Sequence, residues 1–84
     1  MKLALLDVFV DYGRNRTEKE ISFFAFDNTT EVFYVSNECF RQGKLVVRVL
    51  DAFDKQVFVE IPGVPTVGAK RCVVDESLVE YLDD

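Results

Sequence analysis

The strongest constraint on the fold is an alternation of apolar side chains that runs from residue 44 to residue 61. Every second position is apolar on both sides of a short segment, 52–54, which is the pattern of two strands joined by a turn. The alternating residues are Leu45, Val47, Val49, Val57, Val59 and Ile61. If 52–54 is a three-residue loop, Val49 lies opposite Val57, and the alternating face forms part of the core.

The reverse face of this hairpin is half apolar. The same register places Val46 opposite Glu60, Arg48 opposite Phe58, and Leu50 opposite Gln56. A domain this small can bury one face of each strand but not two, so some apolar residues should stay exposed and form a binding surface. The predicted partner-binding residues are Phe9, Val46, Arg48, Leu50, Phe58 and Glu60. The alternative is that loops 13–19 and 62–69 and the C-terminal turn cover these side chains.

Four further segments are predicted to be strands. Residues 3–12 predict one long strand with its even-numbered side chains inward, either central in a sheet or bent across two sheets. Residues 20–27 and 31–36 predict a second hairpin, with Asp27 opposite Glu31 and both faces apolar. Residues 70–74 predict a last strand, after an apolar loop whose Val64 and Val67 are expected to fold back over the core.

Short helical turns are expected near 37–42 and at 76–82. Ser36 or Asn37 suits the N-cap of the first, and Gly43 suits the left-handed residue that follows it. Ser77 and Glu80 fit a capping box for the second, although the pattern there also allows a strand. The closing residues 77–80 after a strand resemble the end of many SH3-like domains, a similarity of four residues.

These elements predict a single all-β domain, 1–84, that is mainly antiparallel. Five or six short strands with turns between them are typical of a small SH3-like or OB-like barrel or a curled sandwich. The composition agrees, because 49% of the residues are hydrophobic and 13% are aromatic, which favours a folded, strand-rich chain.

The net charge of -5 belongs to the C-terminal end. All ten basic residues precede Asp75, and five of the fifteen acidic residues lie from there onward, so the body is neutral. The acidic residues are Asp75, Glu76, Glu80, Asp83 and Asp84. They predict either a surface for a basic partner or a solubilising tail. A neutral body disfavours duplex nucleic acid and anionic membranes as partners.

The sequence predicts an intracellular, cytoplasmic protein. The apolar start, residues 3–6, is interrupted by Asp7 and is too short for a secretory signal, and no stretch is long enough to span a bilayer. Cys39 and Cys72 are expected as buried thiols rather than as a disulfide. The chain has no histidine and no closely spaced cysteine pair, so neither a metal site nor a cofactor is expected.

No catalytic constellation is recognisable. Asp7 and Asp11 share a predicted strand face but would lie about 13 Å apart, too far to act as a pair. Glycine-rich phosphate-binding motifs are absent from the sequence. We therefore expect a protein without enzymatic activity.

The expected function is protein–protein interaction, as an adaptor, an inhibitor or one subunit of an assembly, with another protein or a second copy as the partner. The alternative is binding of single-stranded nucleic acid, in which bases stack on exposed rings beside cations. Arg48 beside Phe58 would begin such a surface. The basic residues that could extend it are Arg41, Lys44, Lys55, Lys70 and Arg71.

Overall fold

The structure is a computed structural model that describes residues 2–66 and 69–82. Antiparallel strands dominate it, so the prediction of a small, mainly antiparallel all-β domain is confirmed. The strands are β1 (Lys2–Leu6), β2 (Phe9–Tyr12), β3 (Glu18–Phe24), β4 (Thr30–Ser36), β5 (Phe40–Arg41), β6 (Lys44–Phe53), β7 (Gln56–Glu60), β8 (Val64–Pro65), β9 (Arg71–Asp75) and β10 (Val79–Tyr81). Two short 3-10 turns, Asn37–Cys39 and Glu76–Leu78, connect strands.

These strands form two sheets. The first has the order β10-β1-β6-β7-β9, with β5 also paired to β6, and the second has the order β2-β3-β4-β8. The described residues form ten strands rather than five or six. The reasons are that the predicted strand 3–12 is two strands, that β5 and β8 are only two residues long, and that the strand that the pattern allowed near the C-terminal end is present as β10. Short strands leave too little alternation in the sequence to be recognised.

The expected long strand over 3–12 is in fact two strands in different sheets. β1 pairs with β6 in the first sheet, and β2 pairs with β3 in the second. The chain passes between the sheets at Asp7 and Val8, where the Asp7 N–H donates to the Leu78 carbonyl at 2.9 Å. The possibility that this segment bends across two sheets is the one the structure shows.

One core lies between the sheets. It consists of Ala4, Leu6, Ile21, Phe23, Phe33, Val35, Leu45, Val47, Val57, Val59, Ile61, Cys72 and Val74. The predicted inner face of the central hairpin is thus confirmed, with Val49 partly buried at its margin. The prediction that the even-numbered side chains of 3–12 are buried is wrong for Val10 and Tyr12, which are 49% and 87% exposed. Val10 is exposed although it is paired with buried Ile21. The first sheet leaves this part of β2 uncovered.

The register of the central hairpin differs from the prediction. Asp54 and Lys55 both have positive φ, 49° and 66°, and form a two-residue turn instead of a three-residue loop. Val49 consequently lies opposite Val59 rather than Val57, with a bulge between Val49 and Asp51. On the side of the bulge away from the turn, the pairing differs from the predicted one by two residues, so the same side chains still face the core.

The second hairpin is shifted in a similar way. Its strands are paired with Phe24 opposite Thr30, and the expected pairing of Asp27 with Glu31 does not occur. The difference amounts to four residues, an even number, so the predicted division into two faces survives. Asn28 has a φ of 68°, as expected for a turn asparagine.

The capping predictions are half right. Ser36 caps the first turn by accepting the Glu38 N–H at 3.3 Å, and Gly43 has a φ of 77°. The second turn is capped by Asp75, not by Ser77, and the chain then continues as β10. The Asp75 carboxylate accepts the backbone N–H of Ser77 at 2.9 Å, which lowers the pKa of Asp75.

The apolar loop before β9 is only partly as expected. Val64 is 57% exposed, so it does not fold over the core, and its strand β8 pairs with the edge of β4 instead. Val67 lies outside the described residues.

Both cysteines are free thiols, as expected, but the expectation that both are buried holds for Cys72 alone, because Cys39 is only half-buried. Cys72 is 7% exposed, and its burial, with a smaller contribution from Glu31, raises its thiol pKa to about 11. Because the unfolded chain loses this proton at a lower pH than the folded chain, folding stability contributed by the protonated thiol is lost as the pH rises from 9 to 11.

This predicts that the free energy of unfolding falls between pH 9 and 11, and that Cys72→Val removes part of the fall. Urea unfolding of both proteins at closely spaced pH values measures the difference. Cys39→Ala serves as the control, because Cys39 is only partly buried. Identical pH profiles for the Cys72→Val and unsubstituted proteins would contradict the prediction.

Candidate functional site

Five of the six predicted partner-binding residues lie on the two central strands of the first sheet. Val46, Arg48 and Leu50 are in β6, and Phe58 and Glu60 are in β7. Phe9 is not with them, because it lies in β2 of the second sheet and is 68% exposed there. The alternation of both strands directs these five side chains away from the core.

An ion-pair ladder crosses the middle of this outer face. Arg48 lies opposite Glu60, and Glu60 lies opposite Arg71 on the next strand. The Arg48 Nε lies 3.5 Å from one Glu60 oxygen, and the Arg71 Nε lies 3.2 Å from the other. The predicted pairing of Arg48 with Phe58 is wrong: with a two-residue turn and the bulge before Asp51, Phe58 lies opposite Asp51.

Beside the ladder is an apolar patch formed by Phe53, Phe58 and Val73, which we call the outer patch. These side chains line one shallow depression of about 100 Å³ next to the hairpin turn. Phe53 is 79% exposed and Phe58 is 37% exposed. Leu50 lies at the bulge and is half-buried, and it does not line this depression.

Phe53 was missed by the sequence reasoning, which placed it inside a loop. It is the last residue of β6 and lies opposite Gln56 across the turn. One feature of the sequence could have indicated that Phe53 belongs to a strand: it is a large aromatic residue in a segment whose other residues suit a turn.

The outward-facing apolar residues of β1 differ in their burial. Leu5 is fully buried although it is absent from the core between the sheets, whereas Leu3 is 38% exposed. β1 thus carries one covered and one exposed outward-facing leucine, and the most exposed large apolar side chain of this face, Phe53, lies at the hairpin turn.

The acidic residues do not form one cluster among those described. Asp75 ends β9, Glu76 lies in the following 3-10 turn, and Glu80 lies in β10, 3.9 Å from the Lys44 ammonium. Asp83 and Asp84 lie outside the described residues.

A second and larger depression, of about 380 Å³, lies where the β3–β4 turn meets β9. The Phe26 N–H donates to the Val73 carbonyl at 2.7 Å there and so joins the two sheets. The charged residues that line this depression are Asp27, Glu31 and Arg71. In the part of the chain that the structure describes, no group of three acidic or cysteine residues could hold a metal ion.

The described residues contain no helix long and apolar enough to cross a membrane. Comparison with protein-family models, with curated proteins and with solved structures finds no match to this chain.

Proposed function

We propose that this protein is a non-catalytic binding module that contacts another protein through the outer face of its first sheet. One observation carries the proposal: Phe53 and Phe58, both exposed, share one depression beside a rim of alternating charge. Aromatic anchors surrounded by polar groups are typical of the centre of a protein interface. Single exposed aromatic residues are common, but two that line the same depression are a stronger indication.

The alternative of single-stranded nucleic-acid binding has less support. It relied on Arg48 beside Phe58, and both Arg48 and Arg71 are instead paired with Glu60. The cations that do approach rings are elsewhere, such as Arg14, which lies 4.3 Å from the Tyr34 ring centroid. The proposal keeps the expected cytoplasmic location, with which two free thiols agree.

Phe53→Asp tests the proposal, because its exposed side chain can be replaced without disturbing the core. The purified protein and the variant are each immobilised and used to pull down proteins from the source cell. Light scattering of both measures self-association. We expect Phe53→Asp to lose the bound protein, with affinity at least tenfold lower, since hot-spot truncations cost about 2 kcal/mol or more.

Phe24→Asp is the matched control, because Phe24 is 54% exposed on the second sheet. It introduces the same charge at another exposed phenylalanine and should retain the partner. Phe58→Asp should also lose the partner while the protein stays folded. A partner retained equally by the unsubstituted protein, Phe53→Asp and Phe58→Asp would overturn the proposal, as would turnover of a small molecule.

A further inference from the structure

The free edge of β2 is a second surface with unused binding groups. Among residues 2–66 and 69–82, β2 pairs with β3 alone, and all four of its residues are exposed. At the two ends of the β3–β4 pair, the Ala25 N–H donates to the Thr29 carbonyl and the Asn37 N–H donates to the Thr17 carbonyl. The odd-numbered residues of β3 therefore direct their backbone N–H and C=O groups toward β4. The even-numbered ones therefore bond to Phe9 and Asp11, which leaves the N–H and C=O groups of Val10 and Tyr12 pointing outward.

The edge strands β8, β10 and β9 each carry a feature that disfavours strand addition. β8 has two residues, one of them a proline, and β10 has three residues, with Glu80 beside Lys44. On β9, the Val73 carbonyl is already bonded to the Phe26 N–H. The edge of β2 has one protecting device, the Asp11 carboxylate, which accepts the Tyr12 N–H at 2.7 Å. Val10 keeps both of its backbone groups available.

The two sides of this edge carry different chemistry. On the side facing away from the core, Asp11 lies opposite Glu20, so this side is acidic. On the core side, Tyr12 lies opposite Lys19, and Arg16 lines the same depression of about 400 Å³ as both. Glu18 also borders that depression, but its carboxylate is bound to Arg14 at 2.7 Å.

Next to Val10 the core side is apolar. A depression of about 310 Å³ is lined by Val10, Phe40 and Gly43, with Lys19 and Asn37 at its border. It lies where the first sheet stops short of β2, and its volume is sufficient for an aliphatic side chain of an added strand.

We propose that the β2 edge binds an extended protein segment by strand addition, and that this segment alternates in charge. An apolar residue opposite Val10 fills the depression, and an acidic residue opposite Tyr12 meets Lys19 and Arg16. Between them, a basic residue lies beside Asp11 and Glu20. Backbone hydrogen bonds to Val10 provide the affinity for the segment, and the side chains at alternate positions provide the specificity.

A second copy of this chain fits the edge less well. Antiparallel pairing of two β2 strands about Val10 would bring the two Asp11 carboxylates to diagonal positions on the acidic side, and like charges there are repulsive. The charges around the edge therefore favour a different protein with acidic and basic residues at alternate positions.

The test uses two synthetic peptides of the same composition, Thr-Glu-Lys-Val-Thr-Val-Thr and Thr-Lys-Glu-Val-Thr-Val-Thr. Added antiparallel to β2, the first places Glu near Lys19 and Lys near Asp11, and the second reverses both contacts. Titrations followed by amide chemical shifts should show shifts centred on β2 and about tenfold weaker binding of the second peptide. Lys19→Glu should remove this preference.

Two further arms test the backbone bonds. Val10→Pro removes the outward N–H at a position where an edge strand tolerates proline, and methylation of the first valine nitrogen of the peptide removes the reciprocal donor. Both should abolish binding, whereas Phe53→Asp, in the outer patch, should leave it unchanged. The proposal is overturned by equal binding of the two peptides, by no binding, by shifts confined to the outer patch, or by self-association that Val10→Pro abolishes.

Discussion

Phe33→Ala is expected to remove a large part of the folding stability of this protein. Phe33 is fully buried on β4, and its ring is stacked on Phe23 with the centroids 6.1 Å apart. Truncation of a buried phenylalanine leaves a cavity and costs about 3–5 kcal/mol. A domain of this length has a total stability of about 4–12 kcal/mol, so this loss is about a quarter to all of it.

Urea unfolding followed by circular dichroism measures this effect. Phe53→Ala is the matched control, because it deletes the same atoms from a side chain that is 79% exposed and should change stability by less than about 0.5 kcal/mol. A loss below about 1.5 kcal/mol for Phe33→Ala would show that Phe33 is not central to the core. Equal losses in the two variants would contradict the assignment of faces itself.

The faces of the strands could be predicted from the sequence because side chains alternate with a period of two. Leu45, Val47, Val57 and Val59 are buried as the alternation requires, and Phe23 and Phe33 share the buried face of the second hairpin. The registers could not be predicted with the same success. Register depends on the conformation of the turn, and a lysine at positive φ such as Lys55 is not a recognisable turn signal.

The error in register changed the candidate site more than the fold. Moving the pairing by two residues keeps the same face inward but gives every outward side chain a new neighbour. Arg48 was expected beside Phe58 and lies instead beside Glu60, which turns a predicted cation and ring contact into an ion pair. The residues of an outer surface are therefore easier to predict than the contacts between them.

The exposed edge at β2 has a different origin. The even-numbered side chains of 3–12 alternate as one strand would, but Asp7 and Val8 carry the chain from one sheet to the other. Burial of Val10 then depends on how far the first sheet extends, which is set by tertiary packing. Alternation indicates which side of a sheet a residue occupies and does not show whether another sheet covers it.

The fold requires a glycine at position 63, which could not be predicted from the sequence. Gly63 lies in the predicted loop 62–69, yet it is buried where the chain enters β8 beside β4. A Cβ atom at Gly63 would lie 2.3 Å from the Tyr34 carbonyl oxygen and 2.4 Å from a methyl carbon of Val35. Gly63 therefore permits a close approach of two backbone segments.

Gly63→Ala is expected to destabilise the protein by about 2–3 kcal/mol, because the strand must move away from β4 to admit the methyl group. Gly43→Ala is the control: Gly43 has a φ of 77° and open space around it, so its replacement tests conformational strain alone, at about 1 kcal/mol. Urea unfolding ranks the two variants. A smaller loss at Gly63 than at Gly43 would mean that the β4–β8 contact relaxes easily, and that β8 contributes little to holding Phe33 and Val35 in the core.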